Sequence, residues 1–176
     1  MNAVLCGDAG VIATHPQVRF TFHHVPQPWH SQSSLAHEAV FAVRRLVPKA
    51  ENARFVAFLV QLFARQTEFF DVNVWNLTRS DIHAKLCEIA TSAAGVDIAP
   101  LLAINEADKA KGMLNPGSYV TPDLKLACRY HRVRGVHVTP TVFVNGIEAT
   151  AVSSGWTGEQ WGAFLAPLQA AHEEQK

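Results

Sequence analysis

Between Val18 and Val25 the apolar positions alternate. Val18, Phe20, Phe22 and His24 fall on one side, and Arg19, Thr21 and His23 on the other. A period of two is that of a half-buried strand. Pro26 and Pro28 end it, since neither can donate to a backbone ladder. The period then lengthens. Leu35, Ala39, Ala42, Val43 and Leu46 recur at helical spacing, with Ser33 or Ser34 as an N-terminal cap and Pro48 as the stop. From 51 to 134 the pattern reads as helices alone. Phe55, Phe58, Leu59, Leu62 and Phe63 form one stripe, and Ile82, Leu86, Ile89 and Ala93 another, the second capped by Thr78 and closed by Gly95. A shorter helix after Asp97 buries Ile98, Leu101 and Leu102. Asn115-Pro-Gly-Ser118 is a turn, and Thr121-Pro122 opens a helix that ends at Gly135.

Past Gly135 the period returns to that of a strand. Thr141 to Val144 is a short β-branched and aromatic run, Asn145-Gly146 suits a tight hairpin turn, and a second strand starts at Ile147. Pro140 enters the first strand without an N–H to give, which fits either a cis Thr139–Pro140 bond or a trans proline opening an edge strand. Thr157-x-x-Gln160 is a capping box for a last helix with Trp161, Phe164, Leu165 and Leu168 inward. Residues 1–17 are ambiguous. Val4-Leu-Cys6 and Val11-Ile-Ala13 are short apolar segments, Val11 to Thr14 reads as a strand or a helix end, and His15-Pro16 breaks whatever precedes it.

This order of segments resembles the DsbA-like family. Gly135-Val, Thr139-Pro-Thr141, the apolar strand, Asn145-Gly146, a strand and a helix look like the C-terminal half of that family's thioredoxin-like fold. Val18 to His30 and Ser34 to Val43 look like its second core strand and the helix after it, and Phe55 to Phe70 like its next, aromatic helix. The resemblance covers roughly 18–168. It implies an α/β thioredoxin-like fold in a single domain, 1–176, with an all-helical insertion at about 50–134. It also implies that the Thr139–Pro140 bond is cis and forms the loop that pairs with a bound peptide. Read from the residues themselves, Trp29 with His30 either lines such a peptide groove as a further substrate-binding candidate or anchors its own loop.

The family's chemistry is harder to find. A thiol–disulfide enzyme needs a thiolate of lowered pKa, usually from Cys-x-x-Cys at a helix N-terminus. In the family this motif precedes the strand matched by Val18 to Val25. A strand, loop and crossover helix take about 30 residues, whereas 17 residues lie before Val18 and none reads Cys-x-x-Cys. The expectation is a truncated or diverged N-terminus, with Val4 to Thr14 as a makeshift strand filling the sheet, or else direct pairing of the outer strands, or a dimer by strand exchange. In a rival register Val18 to His24 is the first strand, and Gln27-Pro28-Trp29-His30 stands at the position of the two thiols. Both registers lack a dithiol.

Composition narrows the alternatives. Cys6, Cys87 and Cys128 make an odd set with no close pair, which points to a reducing, cytoplasmic compartment. Cys87 and Cys128 fall at apolar helical positions, leaving Cys6 as the candidate catalytic residue of a one-cysteine mechanism. Lys plus Arg and Asp plus Glu are 15 each, so no footprint for nucleic acid or an anionic membrane is expected. His23, His24, His30 and His37 are dense, but no carboxylate or cysteine completes a ligand spacing, and no metal or cofactor is expected. Ser31, Ser33 and Ser34 allow a different enzyme, one that activates glutathione through a hydroxyl, as in the kappa-type transferases. The first expectation is a redox-silent DsbA-like protein that keeps peptide binding at Thr139–Pro140. A glutathione-dependent enzyme and a single-cysteine thiol enzyme are the alternatives.

Overall fold

The computed structural model describes residues 10–173, with side chains to 169. They fall into two compact units, one of residues 23–135 and one of residues up to 22 together with those from 136 onward.

The 23–135 unit is helical. It contains α2 (Ser33–Leu46), α3 (Asn52–Ala64), α4 (Asp71–Val74), α5 (Arg79–Ala94), α6 (Ala99–Leu102), α7 (Glu106–Ala110) and α8 (Thr121–Val133). The apolar stripes read from the sequence meet in its core, except for Leu46 and Phe63, which are exposed. Ala39, Ala42 and Val43 of α2, Phe58 of α3 and Leu86 and Ile89 of α5 are fully buried, together with Ile98 and Val120. Removing a side chain of the size of Phe58 from water contributes about 1.5–3 kcal/mol. The start of α5 is fixed as its sequence predicts: the Asp81 N–H donates to Thr78 Oγ1, and the Thr78 N–H donates to Asp81 Oδ2 at 2.8 Å. Gly95 ends it in the left-handed region, φ 63°. The cap of α2 differs from expectation. Gln32 takes the N-cap position with no side-chain bond to the helix, because the Ser33 hydroxyl instead accepts the Gln27 N–H, 3.0 Å.

The other unit joins α1 (Val11–Thr14) to the segment after Gly135. Strands β1 (Phe143–Val144) and β2 (Ile147–Glu148) pair antiparallel, Phe143 opposite Glu148 and Val144 opposite Ile147. Asn145 (φ 49°) and Gly146 (φ 90°) make the turn between them, the positive-φ pair that a two-residue hairpin demands. The helix α9 (Gly158–Glu173) opens with the expected capping box, Thr157 N–H to Gln160 Oε1 at 2.8 Å and Gln160 N–H to Thr157 Oγ1 at 3.3 Å. Trp161 and Leu165 of α9 and Val11 of α1 form a small buried cluster, with Val18, Phe20, Val142 and Trp156 packed against it. Trp156, Trp161 and Phe164 meet edge to face.

The expected thioredoxin-like α/β fold is not what forms. The one sheet among the described residues is the β1–β2 hairpin, and helices make up most of the rest. Val18 to Val25 has the alternation of a strand but no ladder. A strand exists through its neighbour's N–H and C=O groups, and among the described residues none pairs with this segment. Val18 and Phe20 still reach the aromatic cluster, while Phe22 is exposed. Val11 to Thr14, read as half of a makeshift strand, is helical instead; the Thr14 N–H closes on the Gly10 carbonyl at 3.0 Å. The remainder of that candidate strand, Val4 to Ala9, lies outside the described residues. No described helix is long and apolar enough to cross a membrane.

Candidate functional site

Gly135, at φ 68°, turns the chain out of α8 and into the segment His137-Val138-Thr139. All three residues are exposed, Val138 by 68%. The Thr139–Pro140 peptide bond is cis. Thr141 Oγ1 donates to the Val138 carbonyl at 2.7 Å. Among the described residues no other hydrogen bond engages the backbone of these three. Three consecutive N–H donors and two carbonyls therefore have no partner among the described residues, in an exposed, bent segment that leads toward β1. Satisfying such groups with another chain's backbone is the basis of strand addition.

Trp29 and His30, also expected at the substrate site, belong to the helical unit, whereas Thr139 and Pro140 lie in the other. Trp29 is 65% exposed and is no buried anchor for its loop. The His30 Nδ1 lies 3.0 Å from Asp71 Oδ2, and Gln32 Nε2 donates to Asp71 Oδ1 at 2.9 Å and to the Phe69 carbonyl at 2.6 Å. Those bonds, that of Gln32 first, hold the Asp71 carboxyl below its usual range. The arrangement fastens the loop before α2 to the turn before α4.

The histidines separate as a strand's neighbours would. His23 stacks on Tyr130 of α8, centroids 4.4 Å apart, and the Arg134 guanidinium lies 5.5 Å from the same ring. His24 turns inward. Its Nδ1 is 2.7 Å from the Nδ1 of His37 on α2, and Phe41 tilts against its ring at 4.4 Å. Burial lowers both imidazoles to about 4; His23 beside His24, and His24 and His131 beside His37, push in the same direction. Both rings are thus neutral near pH 7, one donating and one accepting. Among the described residues no three His, Cys, Asp or Glu side chains are placed to hold a metal ion.

Cys6, the candidate single-cysteine nucleophile, lies outside the described residues. Cys87 and Cys128 are free and half-buried, on α5 and α8. Burial, and then Asp97, push the Cys87 thiol up, the opposite of what a thiolate nucleophile needs. Of the serines considered for glutathione, Ser31 donates to Gln32 Oε1 at 3.2 Å and Ser33 is engaged by Gln27.

The sequence reading passed over Glu38. This carboxylate is buried in α2, where Ser118 Oγ (2.8 Å), Thr121 Oγ1 (3.0 Å) and Arg79 Nη2 (2.9 Å) all donate to it. A signal was present, since Glu38 stands three residues after Leu35 on an otherwise apolar stripe. No family model, no curated protein and no solved structure matches the chain.

Proposed function

We propose that this protein binds an extended peptide segment by pairing with the backbone of His137 to Thr139, and that it carries out no thiol–disulfide chemistry. One observation carries the reading: the exposed run of N–H and C=O groups at 137–139, left without partners among the described residues and leading through Pro140 to Val142 into β1. Backbone pairing supplies the affinity in such complexes, and alternate side chains supply the selectivity. Val138, largely exposed, offers the apolar contact that a peptide side chain would cover. The absence of redox chemistry is supported by the two described cysteines, which sit on different helices, and by the raised Cys87 thiol.

The test uses a fluorescein-labelled peptide of alternating Thr and Val flanked by Lys, titrated with the protein and followed by anisotropy. Saturable binding is expected. Thr139→Pro removes one donor of the pairing edge and should weaken binding by about tenfold or more, the equivalent of about 1.4 kcal/mol. Thr139→Val keeps the donor and should bind as the parent does. Equal binding by the proline variant would overturn the reading.

A further inference from the structure

The helix α8 is amphipathic twice over. Leu124, Ala127, Cys128 and His131 are half-buried on the side that packs on α2. On its other side Leu126 and Val133 are 66% and 74% exposed, with Tyr130 between them at 38%. These three stand at i, i+4 and i+7, the spacing of a helix seam. An isolated exposed leucine needs no explanation, but three large side chains in one row, opposite the core, form a face. Its centre is also held in place: His23 stacks on Tyr130 and Arg134 lies over the same ring.

The charges around the row decide what fits it. Lys125, Arg129 and Arg132 are exposed beside it. The only acid of the helix, Asp123, is already paired with Arg45 Nη2 at 2.8 Å. A second copy of this chain laid face to face would set three cations against three cations, so this is not a self-association surface. We infer that the Leu126–Tyr130–Val133 face of α8 docks an acidic amphipathic helix of another protein, with apolar anchors at heptad spacing over the row and Glu or Asp side chains against Lys125, Arg129 and Arg132. The row spans two helical turns, so the contact is small and of the transient kind.

The probe is a three-heptad synthetic helix with Leu at its seam and Glu at the flanking positions, titrated with the full chain by calorimetry. Its twin carries Lys in place of Glu. The acidic helix should bind and the lysine twin should not, and binding should weaken as salt is raised. Leu126→Glu with Val133→Glu should lower affinity by about tenfold or more, and Arg129→Glu by about fivefold, on the scale of interface anchors and flanking charges. Both changes are at exposed positions, and an unchanged circular dichroism spectrum and melting temperature would show that folding is intact. No binding of the acidic helix, equal binding of the lysine twin, or binding unaffected by both variants would overturn the inference. So would binding to vesicles of phosphatidylcholine and phosphatidylserine in preference to the helix, which would make the face a membrane contact.

Discussion

His24 and His37 share one hydrogen bond between two rings that burial keeps neutral. Their folded pKa values of about 4 lie below the ordinary histidine value of 6.5. Between those limits the unfolded chain binds protons that the folded chain refuses, so stability rises with pH. The contribution is complete above about pH 7, declines as pH falls through about 6.5, and is spent near about pH 4. Both rings keep some exposure and share a site, so we set the pair's effect at roughly 2–4 kcal/mol, less than two independent shifts would give. Melting temperatures taken from about pH 7.5 down to about pH 4 should fall for the parent. His24→Leu combined with His37→Leu should flatten the curve relative to it; parallel curves would refute the role of the pair. The opposite orientations of His23 and His24 were legible from strand geometry. The meeting with His37 was not, because it depends on how α2 is placed against an irregular segment.

Elements were most legible where local chemistry closes them. The cap at Thr78, the capping box at Thr157, the stop at Gly95 and the Asn145-Gly146 turn each need only a few adjacent residues, and all are present. The serine cap of α2 failed because a backbone N–H from six residues upstream claimed the Ser33 hydroxyl. The burial of Glu38 was signalled by its place on the stripe, but its partners lay beyond reach for a related reason: Arg79, Ser118 and Thr121 are 41, 80 and 83 positions away. This carboxylate ties α2 to the starts of α5 and α8. Gly117 belongs to the same junction, since a Cβ there would stand 2.5 Å from Thr121 Oγ1. Glu38→Ala leaves the Ser118 and Thr121 hydroxyls without their acceptor, while the largely exposed Arg79 turns to water, and it should cost about 1–3 kcal/mol in denaturant unfolding, the scale of buried polar groups left unsatisfied. Glu38→Gln keeps the shape and should cost less. An alanine variant within about 0.5 kcal/mol of the parent, the scatter of ordinary surface changes, would mean that the network carries no stability.

At the scale of the molecule, the alternation at Val18 to Val25 predicted a strand, yet no ladder forms there among the described residues, and Phe22, read as inward, is exposed. Periodicity reports which face is apolar, whereas a sheet also needs a neighbouring backbone. The helical unit required no such neighbour, and its stripes packed into a core apart from Leu46 and Phe63, which are exposed. Thiol chemistry is likewise a property of placement. With Cys87 on α5 and Cys128 on α8, both free, turnover in an insulin-reduction assay should be negligible beside that of a Cys-x-x-Cys enzyme; comparable turnover would refute the redox-silent reading. The central claim is that 137–139 is an open backbone edge for a peptide. Amide hydrogen exchange resolved to single residues measures this directly. His137, Val138 and Thr139 should exchange rapidly in the free protein and slow by about tenfold or more when the Thr-Val peptide saturates it, as expected when a pairing bond forms. A saturated complex in which these three amides exchange as fast as in the free protein would contradict the account.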